Sequence, residues 1–343
     1  MRGQPKVSFA AAFTAIVCIL GLGAVISLQQ TAQMQLSEAT SETGSRFVAE
    51  QSPQSTRQML NSHWVVDAVT AKQLLDQGAT LLDARGMIMP GNYLHGAVPV
   101  SWQQFSQENP PHRGKLLEDD RALTEKLQEV GVFQDRPVVV VADPTNGWGE
   151  EGRIVWMLRT LGHPQAVMVD GGYQALHKAG VPTQLVASPV SHPGDFVVNR
   201  ISAWEIQRDE LQASLNQSNL VIIDAREQNE YEGATLYGEA RGGHLPGAVH
   251  LHYEDFLDDQ GKILPRSEIR QILRASGISD SEQVVSYCTG GIRSAWLTAI
   301  LSDLGFDAKN YAGSIWEWAA APAAEFPLVG SEEWRVRSEE NAP

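Results

Sequence analysis

Apolar positions along this chain fall into three patterns, and each predicts a different kind of element. The first is an unbroken run, "VSFAAAFTAIVCILGLGAVISL" (residues 7–28), with no charge in 22 positions. That length crosses a bilayer as a helix. Residues 29–62 then exchange large apolar side chains for Gln, Ser, Thr and Glu, the composition of a flexible tether. The remainder alternates short β-branched runs with segments whose apolar residues recur every three or four positions. Strands and helices taking turns in this way predict an α/β fold with parallel sheets flanked by helices.

The alternation occurs twice. Residues 63–183 contain "GATLLDARG", "LHGAVPVSW", "RPVVVVADPTNGWGEEGRIVWMLRTLG" and "QAVMVDGGYQALHKAG". Residues 199–330 contain "NLVIIDARE", "LPGAVHLHY", "EQVVSYCTGGIRSAWLTAILSDLG" and "DAKNYAGSIWEWAAA". Each half runs from a strand ending in Asp-Ala-Arg through a Gly-Ala-Val strand and a helix to a strand that opens into a loop and a second helix. A repeat of this kind predicts two α/β domains of similar topology. Residues 184–198, with two prolines and a glycine, read as the linker between them, and residues 331–343 as a C-terminal tail.

The second half carries the more pointed chemistry. The chain has two cysteines, and Cys288 follows the strand pattern "QVVSY". Trp296, Leu297, Ile300, Leu301 and Leu304 then recur at helical spacing, and Gly305 ends the run. Cys288 therefore falls at the carboxyl end of a parallel strand, just ahead of a helix N-terminus, where open α/β sheets bind ligands. Unpaired N–H groups and the helix dipole favour negative charge there. Gly290 and Gly291 let the loop amides turn inward as a nest, and Arg293 adds a full positive charge. All three favour thiolate over thiol and make Cys288 a candidate nucleophile. The bland alternative is a buried core cysteine beside a glycine turn.

Charge and cysteine usage narrow the possibilities. A formal net charge of −15 with no basic patch argues against a nucleic-acid partner. Arg2 and Lys6 precede the apolar run, so the positive-inside bias sends everything after residue 29 across the membrane. Two outcomes stay open: an uncleaved anchor, or a cleaved signal peptide despite the absence of a clean small-x-small site. The expectation is a protein of the bacterial inner membrane facing the periplasm, or one released to the periplasm if the leader is removed. Cys18 lies within the apolar run, where it reads as a small filler, and the exported part keeps the single thiol of Cys288.

The segments "VIIDAREQNEY", "RGGHLPGAVHL", "VVSYCTGGIRSAW" and "GSIWEWAA", in that order and spacing, resemble the rhodanese family of sulfurtransferases, specifically its tandem-domain members. The resemblance covers roughly residues 64–330. It implies two rhodanese-like domains, with residues 63–183 catalytically silent because Asp143 stands where the second half has Cys288. It implies that Cys288 takes the outer sulfur of a small anionic donor, thiosulfate or 3-mercaptopyruvate, becomes a persulfide, and passes the sulfur to a thiol or cyanide. Thr289, Gly290, Gly291, Ile292, Arg293 and Ser294 would cradle that sulfur, and no cofactor or metal is implied. Glu230 departs from the family pattern, which often has an arginine near this point to hold the donor; Arg241 could substitute.

Other positions carry two readings each. Asp224 with Arg226, and Asp83 with Arg85, read better as structural ion pairs because both halves have them, although Asp224 remains a secondary site residue. Trp316 and Trp318 could line the cleft or pack the core. His244 reads as structural; His250 and His252 share one face of a strand but lack a third metal ligand. Two competing functions stand beside the enzyme. One is a partner-specific sulfur carrier or redox-sensing binding module. The other is a Cys-dependent phosphatase, disfavoured because four residues rather than five separate Cys288 from Arg293.

Overall fold

The computed structural model describes residues 53–86 and 88–330. The apolar run at 7–28, most of the tether and the 331–343 tail lie outside the described residues. Among the described residues no helix is long and apolar enough to cross a membrane. The chain parts into two compact units, Met1–Thr56 and Arg57–Pro343. Of the first, the described residues hold only the opening turn of the Pro53–Ser62 helix. The end of the stretch read as a tether is therefore helical. Leu60 explains why: it is fully buried in an apolar cluster with Val139, Val141 and Val167.

Within the second unit, two parallel sheets share a four-strand order, to which the first adds one more strand at an edge. The first runs β1 (Val65–Val66), β6 (Ala166–Val169), β5 (Val138–Val141), β2 (Thr80–Asp83), β4 (Ala97–Pro99). The second runs β11 (Asp307–Asn310), β10 (Gln283–Tyr287), β8 (Leu220–Asp224), β9 (Val249–His250). Every pairing in both is parallel. A small antiparallel pair, β3 (Tyr93–Leu94) with β7 (Thr183–Gln184), sits apart. The all-valine β5 is buried along its whole length, as expected of a central strand covered on both faces. Asp67 and Asp119 begin the helices Ala68–Asp76 and Asp120–Glu129 by accepting first-turn N–H groups.

Two helices bind the halves together. Glu150–Thr160 follows β5 and Arg293–Asp303 follows β10, and residues 151–160 and 293–301 are all buried. They can approach closely because Gly149 and Gly152 lie against Trp296, where a Cβ at either glycine would collide with the indole. One apolar cluster consequently contains Ile154, Trp156 and Leu158 of the first half together with Trp296, Ile300 and Cys288 of the second. The segment read as a linker is packed too. Phe196 is fully buried, and Gly194 and Phe196 pair by their amides with Gln128 and Val132.

Candidate active site

Cys288 leaves β10 at its carboxyl end and is 1% exposed. Its Sγ accepts the Gly291 N–H at 3.1 Å and lies 3.6 Å from Ser294 Oγ. Gly291 reaches this position with φ 82°, a backbone region that side chains resist. Behind the sulfur, the Cys288 N–H donates to Ser314 Oγ at 3.1 Å. Ser314 itself is held at φ 51°, a strained value for a residue with a side chain. Its hydroxyl donates to the Tyr311 carbonyl at 2.7 Å, which helps keep it there.

Burial pushes the Cys288 thiol up, but the Arg293 charge, the Ser294 amide and hydroxyl and the Gly290 amide outweigh it and hold the thiol below its ordinary range. A buried sulfur that still favours thiolate is a competent nucleophile. The Ser294 hydroxyl has one proton, and in this state it is nearer Asn310 Oδ1 at 2.7 Å than the sulfur. Rotation of that hydroxyl would move a donor onto a sulfur that gains charge.

Arg293 does not present an open guanidinium. It makes two bonds to Glu230, at 2.6 and 2.8 Å, and donates to Thr289 Oγ1 at 2.8 Å. Thr289 Oγ1 in turn donates to Glu230 at 2.6 Å. Burial pushes the Glu230 carboxyl up, yet Arg293 and Thr289 carry it the other way, to below the usual carboxylate range. Glu230, singled out as a departure from the family pattern, is thus the counter-charge that locks Arg293 across the loop. Arg241, considered as its substitute, is committed elsewhere: its guanidinium donates to the carbonyls of Trp318, Ala319, Ala321 and Phe326.

The remaining predicted residues separate clearly. Trp316 lies against Gly290, where a Cβ would strike its ring, and its Nε1 donates to the Tyr237 carbonyl at 3.0 Å. Trp318 is fully buried and donates to the Pro327 carbonyl, a core residue. Ile292 is buried and precedes the Arg293–Asp303 helix. Asp224 and Arg226 form a buried two-bond pair, joined by the Tyr287 hydroxyl at 2.6 Å. Asp83 and Arg85 repeat that pair in the first half. His244 stacks on Tyr231, and His250 is bonded to the Arg226 carbonyl. Among the described residues no group of three or more His, Cys, Asp or Glu could hold a metal ion.

Sequence reasoning passed over the groups that the first half lays on this loop. Gly114 abuts the Gly290 carbonyl so closely that a Cβ would not fit. Arg153, 1% exposed, donates to the Gly291 carbonyl at 3.2 Å and to Ser106 Oγ at 3.0 Å. Lys115 bonds Glu317 at 2.8 Å, and the Arg113 guanidinium sits 5.0 Å over the Trp316 ring. The available signal was Arg153 itself, a charged residue directly after Gly152 and at the head of the apolar stretch 154–158.

An α/β scaffold with an amide-cradled thiol at the end of a parallel strand presents a candidate cysteine nucleophile. A family model described as the Rhodanese-like domain matches residues 207–321. The chain is 30% identical over 236 residues to a thiosulfate sulfurtransferase of Azotobacter vinelandii, covering 67% of this chain and 85% of that one. It is 32% identical over 212 residues to a probable 3-mercaptopyruvate sulfurtransferase of Pseudomonas aeruginosa, covering 60% and 72%. Its fold is similar to that of SseA from Escherichia coli, with a TM-score of 0.63 at 22% identity over 74% of this chain and 98% of that one. It is similar also to the Tum1 protein from Saccharomyces cerevisiae, with a TM-score of 0.67 at 16% identity over 79% and 99%. The chain belongs to the rhodanese family and is a sulfurtransferase.

Proposed function

We propose that Cys288 carries sulfane sulfur from a small anionic donor, thiosulfate or 3-mercaptopyruvate, to a thiol or cyanide acceptor. The observation that carries this reading is the 3.1 Å bond from the Gly291 amide to Sγ, in a loop whose groups together favour the thiolate. The named substrates of the sulfurtransferase relatives support the choice of donors. The thiolate attacks the outer sulfur of thiosulfate; a Cys–S bond forms as the donor's S–S bond breaks, and sulfite leaves with the electron pair. With 3-mercaptopyruvate the C–S bond breaks instead, and the electron pair stays on carbon, which takes a proton to give pyruvate. Attack by the acceptor on the outer persulfide sulfur returns the Cys288 thiolate.

In this reading the halves are tandem rhodanese-like domains, residues 63–183 silent and 199–330 catalytic. Intact-protein mass spectrometry before and after each donor tests the chemistry. The expected result is a gain of one sulfur atom, absent in Cys288→Ser and discharged by cyanide. No gain with either donor overturns the reading. The apolar run at 7–28, with Arg2 and Lys6 ahead of it, supports export to the periplasmic side of an inner membrane. Resistance of the protein to protease added to spheroplasts would count against that.

A further inference from the structure

We infer that Arg153, contributed by the half that lacks the reactive cysteine, is a positioning residue for Cys288: it holds Gly291 in the conformation that aims its N–H at the sulfur, and it brings the loop a cation not already matched by a carboxylate. The inference rests on Cys288 being the sulfur carrier.

The positioning follows from how Gly291 is held. Its N–H points to Sγ, and its carbonyl accepts from Arg153 at 3.2 Å and from Asn310 Nδ2 at 3.3 Å. Gly291 sits at φ 82°, with Ala312 too close to admit a Cβ. A glycine is the residue with most freedom to leave such a conformation, so anchors on its carbonyl matter more here than elsewhere. Arg153 is itself fixed on three sides. It donates to Ser106 Oγ and the Gly114 carbonyl, and its guanidinium lies 4.7 Å over the Trp156 ring. A planar five-donor fork suits this task better than a lysine would.

The charge argument is independent of the first. Arg293, whose charge also acts on the sulfur, is partly offset by its two bonds to Glu230. The acceptors of Arg153 are two carbonyls and a hydroxyl, and among the described residues no carboxylate lies within ion-pair distance of it. Burial brings Arg153 down to about 10, which still leaves it charged at neutral pH; Glu205 and the Cys288 sulfur act in the other direction. Glu205 is shared with Arg200 and Lys115, and its own burial pushes it up. By reciprocity, a sulfur anion that stabilises charged Arg153 is stabilised by it.

Alkylation of Cys288 by iodoacetamide, a small neutral probe, followed against pH in the full chain with Cys18→Ser, tests the inference. Arg153→Met is expected to move the alkylation midpoint upward and to slow alkylation at pH 7 about tenfold. A midpoint equal to that of the parent overturns it. If Arg153→Met does not fold, Arg153→Lys decides in the same assay. The lysine keeps the charge but cannot hold Gly291, Ser106 and Gly114 together, so at least about threefold slower alkylation is expected. An unchanged rate overturns the inference. Alkylation reads the thiolate and not sulfur transfer. A shifted midpoint in a chain that takes up no sulfur would therefore refute the proposed function while leaving the role of Arg153 standing.

Discussion

The loop after β5 and the loop after β10 stand at the same place in two sheets that share a four-strand order, and each leads into a buried helix. Both helix starts attract negative charge. In the first half the chain supplies that charge from its own carboxylates. Asp143 accepts from Thr145 and Asn146 of its own loop, and Glu150 accepts the Trp148 N–H at 2.8 Å. Burial pushes Asp143 up, but those donors and Arg85 hold it below its ordinary range. In the second half the corresponding donors face Cys288, and the first helical turn carries Arg293 and Ser294 rather than Glu150 and Glu151. The scaffold does not distinguish the halves. One anion site is filled by the chain itself, and the other holds the Cys288 sulfur.

The sharpest way to break this comparison is to exchange what fills each site. Cys288→Ser should lower sulfur transfer by at least about 10³-fold while leaving the melting curve unchanged, since the hydroxyl fits the same space. Asp143→Asn should leave transfer within about twofold, because its bonds serve its own loop. Steady-state assays with thiosulfate and cyanide check both. Appreciable transfer by Cys288→Ser would remove the mechanism.

A second prediction concerns the lock on Arg293. Glu230→Gln leaves a buried guanidinium short of its counter-charge and should cost about 3 kcal/mol at pH 7, read by urea unfolding. Glu230 has a depressed folded-state pKa, so its contribution is fully present above the unfolded carboxylate value, about 4.3, and is lost as pH falls through the folded one. The gap between wild type and variant should therefore narrow at pH 3. Freed of Glu230, Arg293 should favour the thiolate more strongly, so the alkylation midpoint of Cys288 should fall; Arg293→Ala should raise it by removing the charge. Identical midpoints in both variants would show that Arg293 does not set the state of the sulfur.

Local features of the molecule were readable from sequence because local pattern determines them. Buried β-branched runs made β5 and β10, the spacing from Trp296 to Leu304 made the following helix, and two glycines before Arg293 marked the anion nest. What escaped reading depends on contacts between residues far apart in the sequence. Nothing in "PPHRGK" says that Gly114 rests on Gly290, and nothing beside Arg153 says that its partner is Gly291. Glu230 looked like a misplaced acid because its partner lies 63 positions away. Even the two tryptophans of "IWEW" needed the fold to divide them, Trp316 to the loop and Trp318 to the core.

The smallest predicted effect falls on the second residue of each helix. Ser294 turns toward the sulfur, whereas Glu151 turns into the contact between the halves and accepts the Trp296 indole N–H at 2.9 Å. Its other carboxyl oxygen is buried without a partner in the described residues. Burial, with Glu150 and Asp143 adding repulsion, pushes Glu151 up to about 7 against the help of its own amide and Trp296. A carboxyl raised in this way binds its proton more tightly folded than unfolded. Its stabilising contribution is full below the unfolded value and is lost as pH rises toward 7. Above that, wild type keeps a poorly solvated carboxylate between its halves, and Glu151→Gln does not. The variant should melt a few degrees higher than wild type at pH 8 and within about a degree of it at pH 5, as read by calorimetry. A difference independent of pH would mean that the carboxyl is already ionised and solvated at this contact, and that the helices meet less tightly than Gly149, Gly152 and Trp296 imply.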